Sequence, residues 1–383
     1  MKKLIVFLLA IAMCATVLSS CAAPEKTEPE TEAVSETEDK YEEIEEIDSV
    51  LTALGFKGEA YVTDGDNVLY NKGFGTANKE KETEVTADTQ FCIASVSKQF
   101  AATSILILEE QGKLSVNDTI DKYFPDYKYA GKITIENLLT MRSGIPEYTT
   151  KTDSDGNKYP VDTDTIDYDV SKKATSKENR TAIEQWFFGK PLDFEPGEDF
   201  SYSNSNFMLL AEIVEQISGK DYEEFVQKNI FDKLGMKDST FTSLYDFSSK
   251  RFAQPHGGDD GGEFFAYRGA NFGAGDIIST ANDLNIWLNA LRDSVINSLN
   301  GETLLSKESI AKMTKNYSEA DDDFQYGYGL MLMANGFGHT GAITSYRSVI
   351  YCDPLNEINI ILLSSTKTVD INVIFNRFYR TFD

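Results

Sequence analysis

The placement of strand-like segments constrains this chain more than any other feature. Gly58 to Thr63 and Val68 to Gly75 flank Asp64-Gly65-Asp66-Asn67, and an Asp-Gly between apolar runs signals a hairpin. Strand patterns then return only after residue 320. Tyr326 to Met333 alternates small and large residues. Thr344 to Tyr351 and Ile358 to Leu363 are apolar and β-branched, separated by Asp353-Pro354-Leu355-Asn356. The intervening chain reads as helix and loop, with helices over 95–112, 137–141, 181–188, 205–218, 222–234 and 281–291. A polar stretch, 149–180, reads as a long surface loop, and a last helix covers 369–382. Strand backbone groups must be paired, so the strands of both ends are expected to meet in one sheet. The expected class is α+β, with a mostly helical subdomain, about 113–320, inserted between the halves of the sheet.

The folded part is expected over 49–383. Residues 1–20 read as a leader: Lys2-Lys3, an apolar run from Leu4 to Val17, then Leu18-Ser19-Ser20-Cys21. Over 22–48 twelve acidic residues oppose Lys26 and Lys40, so 21–48 reads as an acidic, extended tether that runs into the first helix. That segment carries ten of the chain's 26 net negative charges. The overall charge disfavours nucleic acid as a partner. With only two histidines, His256 and His339, and no Cys-x-x-Cys pair, a multi-His metal centre is excluded, and neither metal nor cofactor is expected. Cys92 and Cys352 lie in apolar runs, as buried thiols or as a disulfide.

Three polar clusters carry candidate chemistry. Ser95-Val96-Ser97-Lys98 opens the 95–112 helix, and a lysine three residues on falls within reach of the serine hydroxyl. A serine needs a base to become a nucleophile, and a lysine becomes one when burial lowers its pKa. The plainer reading is a solvated helix start. Tyr202-Ser203-Asn204 precedes the helix at 205–218; a tyrosine shuttles protons and an asparagine amide can bond both a lysine and a substrate carbonyl, or merely cap the helix. Gly338-His339-Thr340-Gly341-Ala342 lies between strands in this reading, with His339 and Thr340 placed to bind a carboxylate or steer a proton, unless the glycines only let an edge strand twist.

Together these clusters resemble the serine β-lactamase and penicillin-binding-protein superfamily, in the branch of class C β-lactamases, D-stereospecific peptidases and esterases. Leu138-Leu139-Thr140-Met141-Arg142-Ser143-Gly144-Ile145-Pro146, Phe194 to Asn206, Gly235-Met236 and Ala274 to Thr280 resemble further segments of it. The resemblance implies a β-lactamase-like transpeptidase fold, its antiparallel sheet flanked by the terminal helices. It implies Ser95 as nucleophile, Lys98 and Tyr202 as proton carriers, Asn204 as their orienting partner and His339 as a further catalytic group. The N–H groups of Ser95 and Ala342 would form the oxyanion hole, and Thr340, Gly341 and Arg142 would bind substrate. It also implies that Leu18-Ser19-Ser20-Cys21 is a lipoprotein box, with lipid on Cys21 and the protein anchored to the outer face of a bacterial membrane. The implied activity is acyl transfer on an ester, a D-amino-acid amide or peptide, or a β-lactam-like compound. Two departures stand out. Met141-Arg142 replace the usual His-Thr, so a hydrogen bond is expected to be lost and a charge gained near the cleft. His339 replaces a lysine and should hold a carboxylate less firmly. A Ser-His-Asp hydrolase using His339, and a non-hydrolytic cell-wall sensor, are the alternatives; the chain has no Gly-x-Ser-x-Gly elbow for the former.

Overall fold

The Gly65-Asp66 turn joins two strands, β1 (Gly58–Asp64) and β2 (Asn67–Phe74), and β1 then pairs with a strand almost three hundred residues away. The computed structural model describes residues 46–80, 82–152, 158–160, 175–256, 269–296, 303–318 and 325–382. The leader, Cys21 and nearly all of the acidic segment lie outside the described residues. Ile47–Asp383 form one unit.

Its main sheet continues with β3 (Gln325–Tyr326), β4 (Met331–Met333), β5 (Gly336–Ile343), β6 (Tyr346–Asp353) and β7 (Ile358–Ser364). The strand order is β3-β4-β5-β6-β7-β1-β2, antiparallel throughout. Two distant segments thus close one sheet, as strands that must pair their edges require. Every residue of β7 is buried, so both faces need cover. Helix α3 (Ala281–Ile296) covers the face of Thr63 and Asn359, which bond to Asn285 at 2.9 and 2.8 Å. Helix α4 (Ile371–Phe382) covers the other, with Phe375 and Tyr379 edge-on to Tyr351.

Helix α1 (Lys98–Glu110) is buried from Lys98 to Leu108 and packs against α2 (Asn204–Ser218). Phe100 stacks on Trp287 of α3 at 4.1 Å, and Gln99 accepts a 2.6 Å hydrogen bond from its indole. This double contact fixes α1 in rotation about its axis and sets the direction of its first turn.

Several elements differ from the sequence reading. Gly338–Ala342 lie inside β5 and not between strands. The 326–333 strand is two short strands separated by a turn. Ser95 stands on a 3-10 turn, Ala94–Ser97, with the α-helix proper beginning at Lys98. The helix expected from 181 starts at Ser176, where Thr175 and Glu178 form a capping box that offsets the polarity of its first turn. The helical run 222–234 contains a π-helical turn over Gln227–Phe231. Within the expected long loop, Thr150–Thr152 and Lys158–Pro160 pair as strands, and 161–174 lie outside the described residues. Cys92 and Cys352 are both buried free thiols.

Candidate active site

The turn that carries Ser95 is braced before it begins. Phe91–Cys92 pairs with Ile277–Ser279, and Ile93 N–H donates to Ile277 O at 3.1 Å. The Ile93 carbonyl accepts from Ser348 Oγ of β6 at 2.8 Å. Ala94 then adopts a φ of +48°, a left-handed conformation that a non-glycine residue holds only when its surroundings impose it. Ser97 completes the brace, its Oγ accepting from Ile277 N–H at 3.1 Å. Ser95 is thereby presented on a short turn with Lys98 beside it.

Lys98 is fully buried. Its Nζ donates to Ser95 Oγ at 3.0 Å, to Asn204 Oδ1 at 2.7 Å and to the Ala274 carbonyl at 2.7 Å. Three acceptors match the three hydrogens of an ammonium. The rings of Tyr202 and Phe207 lie 5.0 and 5.6 Å away. Burial pulls the lysine down from 10.5 to about 7, against the opposing pull of Glu147 and Asp276. A lysine at that value loses its proton near neutrality, and the lone pair so freed lies within reach of Ser95 Oγ. Tyr202 moves the other way. Burial raises its pKa, a hydrogen bond with Ser95 tempers the rise, and the charge of Glu147 adds to it. At neutral pH Tyr202 is therefore a phenol, with a proton to give, and not a phenolate.

Asn204 opens α2, and its amide is oriented by partners on both sides. The oxygen faces Lys98, while Nδ2 donates to Glu147 Oε1 and Thr149 Oγ1, each at 3.1 Å. An NH₂ has two hydrogens. Both are taken, so in this arrangement Asn204 orients the lysine but has no N–H for a substrate carbonyl. Asp276, in the segment that supplies the Ala274 carbonyl, is buried and pushed up to about 7 by desolvation.

His339 occupies the wall of the site in a manner the sequence does not disclose. It is fully buried. Its Nδ1 lies 2.5 Å from the Thr340 carbonyl and its Nε2 lies 3.2 Å from the Tyr326 hydroxyl. Burial, with Lys98 adding to it, drives its pKa down to about 3. The ring is neutral, and both nitrogens are engaged by the protein. It is not the free carboxylate anchor that the sequence suggested. The Ser-His-Asp alternative also fails here, since a backbone carbonyl and not a carboxylate faces Nδ1. Thr340 is half-buried, its hydroxyl 3.6 Å from Met331 Sδ, and Ala342 is exposed beyond Gly341.

Met141 and Arg142 also depart from expectation. Arg142 donates to the carbonyls of Tyr317, at 3.1 Å, and Gly197, so its charge secures two loops and does not point freely at substrate. Met141 replaces the lost hydrogen bond: its carbonyl accepts from Ser201 N–H at 3.0 Å and its sulfur from Ser203 N–H at 3.4 Å. Met141 thus holds both sides of Tyr202. The sequence reading missed Glu147, which lies one residue beyond the quoted Leu138–Pro146 segment. Its only signal was an acidic residue next to that motif.

The chain is 26% identical to the putative penicillin-binding protein PbpX of Bacillus subtilis (strain 168), over 99% of this chain and 93% of that one. It is 27% identical to penicillin-binding protein 4* of the same organism, over 77% of this chain and 65% of that protein's length. The penicillin-binding protein of Bacillus halodurans has the same fold, with a TM-score of 0.72, 22% identity, and coverage of 88% of this chain and 100% of that one. The D-amino acid amidase of Ochrobactrum anthropi SV3, solved with D-phenylalanine, also has a TM-score of 0.72, at 25% identity, covering 90% of this chain and 98% of its own. The Beta-lactamase family model matches residues 50–373, so a chain whose serine, lysine, tyrosine and asparagine meet in this way belongs to the Beta-lactamase family.

Proposed function

We propose that this protein is a serine hydrolase that works through a covalent acyl-enzyme, and that it cleaves D-amino-acid amides and peptides or short esters faster than β-lactams. The carrying observation is the 3.0 Å contact between Ser95 Oγ and the Nζ of a lysine buried enough to be neutral near pH 7. In the forward step Ser95 Oγ bonds to the substrate carbonyl carbon and Lys98 takes its proton. The N–H groups of Ser95 and Ala342 receive the developing oxyanion. As the bond from the carbonyl carbon to the leaving nitrogen or oxygen breaks, Tyr202 gives its proton to the departing amine or alkoxide and regains one from Lys98. Water then adds to the acyl carbon and releases Ser95. The substrate preference rests on charge. With His339 neutral and enclosed and Arg142 spent on carbonyls, neither residue offers a free cation to a β-lactam carboxylate. A charge-assisted hydrogen bond contributes about 1.5–3 kcal/mol, so recognition without it is roughly ten- to a hundred-fold weaker. The likeness to a D-amino acid amidase supports the amide reading.

The test compares kcat/KM for a D-alanyl p-nitroanilide, a p-nitrophenyl ester and a chromogenic cephalosporin, with the adduct of an active-serine probe mapped by mass. The amide or the ester should exceed the cephalosporin, and the adduct should map to Ser95. A cephalosporin value well above both others refutes the preference. An adduct that forms on Ser95 and never turns over with any of the three assigns the protein to sensing instead.

The proposal places the enzyme outside the cytoplasm, held to the membrane by lipid on Cys21, on the strength of the leader and its Leu18-Ser19-Ser20-Cys21 box. Expressed in a bacterial host, the full chain should partition into detergent, and Cys21→Ser should move it to the aqueous phase. Wild-type protein with an unmodified N-terminus at Ala22 sinks this placement.

A further inference from the structure

Glu147 lies on the loop that leads from Ile145-Pro146 towards the Thr150–Thr152 strand, and it is the only acidic side chain among the described residues to which Asn204 is hydrogen-bonded. Its carboxylate grips that residue twice. Oε2 accepts from the Asn204 backbone N–H, and Oε1 accepts from Asn204 Nδ2 at 3.1 Å. Oε1 also accepts from Thr149 N–H at 2.5 Å, so the carboxylate is itself held in place by its own loop. Thr149 Oγ1 takes the other Nδ2 hydrogen.

This arrangement decides which end of the Asn204 amide faces Lys98. An amide can be turned by half a revolution at little steric cost, and the turned form would aim two N–H groups at the lysine. A carboxylate only accepts, so it stabilises Nδ2 on its own side and leaves the oxygen for Lys98. It also brings a negative charge to the site: Glu147 acts electrostatically on Lys98 and on Tyr202 alike.

We infer that Glu147 is a positioning residue for the Ser95–Lys98 pair, holding the Asn204 amide oxygen towards Lys98 and setting, through its charge, the pH at which that lysine becomes a base. The inference rests on Lys98 being the base of the proposed reaction. The other titratable groups that face Lys98 come from each element packed around it: Tyr202 before α2, Asp276 before the Ile277–Ser279 strand, and His339 of β5. None of these bonds to Asn204 among the described residues, and so none can replace the orienting contact.

The test reads the pre-steady-state burst of a p-nitrophenyl ester from pH 5 to 9 in wild type, Glu147→Gln and Glu147→Asp. Loss of a nearby anion favours the neutral lysine, so in Glu147→Gln the rising acid limb should move to lower pH by about one unit. The plateau should fall about ten- to a hundred-fold, because glutamine puts an NH₂, a donor, where one of the two carboxylate oxygens accepts from Asn204. Glu147→Asp keeps the charge at a shifted position. Its acid limb should stay with that of wild type while its plateau falls by a smaller factor, roughly threefold. A merely structural role would lower the plateau and leave the limb in place. Folded Glu147→Gln with an unmoved limb overturns the inference. If that variant does not fold, a Glu147→Asp plateau equal to that of wild type overturns it, since the shorter carboxylate cannot keep both bonds to Asn204. Absence of any burst in wild type, with no adduct on Ser95, would instead sink the hydrolase reading itself.

Discussion

Lys98→Ala should slow acylation of Ser95 by about three to four orders of magnitude, the upper part of the range for removal of a general base. The expectation has a pH signature. Below about 7 the lysine of the wild type is a cation, already donating to Ser95 Oγ, and cannot take the hydroxyl proton. Above that value it is neutral and can. The acylation rate of the wild type should therefore rise through pH 7, and the rise should vanish in Lys98→Ala, where no group titrates in contact with the serine. Stopped-flow bursts across pH, on protein whose folding is checked by circular dichroism, measure both effects. A folded variant that retains a tenth of the wild-type rate would refute the assignment of Lys98 as base. Tyr202 would then have to carry the proton alone, although its raised pKa makes it a poor acceptor.

Gly341→Ala should be almost as damaging, although it adds one methyl group. A Cβ at Gly341 would sit 2.3 Å from Ser348 Oγ and 2.4 Å from the Ile93 carbonyl oxygen. Those two atoms form the 2.8 Å hydrogen bond that braces the nucleophile turn. The methyl group cannot be accommodated unless β5 withdraws from the turn or that bond breaks. Overpacking costs typically about 1–3 kcal/mol, and the lost bond adds roughly 1 kcal/mol. For a folded unit of this size the melting temperature should fall by roughly 3–6 °C. The expected catalytic effect is larger, since displacing β5 moves the Ala342 N–H away from its proposed place at the oxyanion, and a shift near 1 Å costs about a hundredfold in rate. Gly219→Ala is the control. It also has a positive φ, of 66°, but nothing lies within 4 Å of the added Cβ. It should lose some stability and keep its kcat/KM. If Gly341→Ala behaves like that control, the close approach of β5 to the turn is not what holds the site together.

These outcomes depend on features that were unequally legible in the chain. β1, β2, β6 and β7 could be read because β-branched and aromatic residues fill them and turn residues bound them. β5 could not. Its three glycines lower strand propensity, and the reason for at least two of them is tertiary: a Cβ at Gly338 would come within 1.9 Å of the Ile350 carbonyl oxygen, as one at Gly341 would strike Ser348 and Ile93. Ser95, Lys98 and Asn204 were legible because a local spacing and a helix start announce them, and their distances agree. The orientation of His339 was not, because its meaning depends on Tyr326 and on how deeply β5 is covered. Arg142 reads as a free charge in sequence and becomes a clasp only when Gly197 and Tyr317 are brought together. Glu147 is an isolated acid in a loop until the fold carries Asn204 to it, 57 residues along the chain.

The pairing of β1 with β7 has a consequence for how this protein is made. As the polypeptide leaves the ribosome, Ser95 and Lys98 emerge long before β5, whose Gly341 approaches their turn, and before β7, which pairs with β1. Until then the β1–β2 hairpin has an open edge, and a lone hairpin is marginal in water. An unfinished chain therefore carries its nucleophile without the wall that shapes it. Termination or proteolysis before residue 364 should yield a fragment that holds Ser95, Lys98 and Tyr202 in its sequence without the assembled site, so any activity requires synthesis to pass that residue.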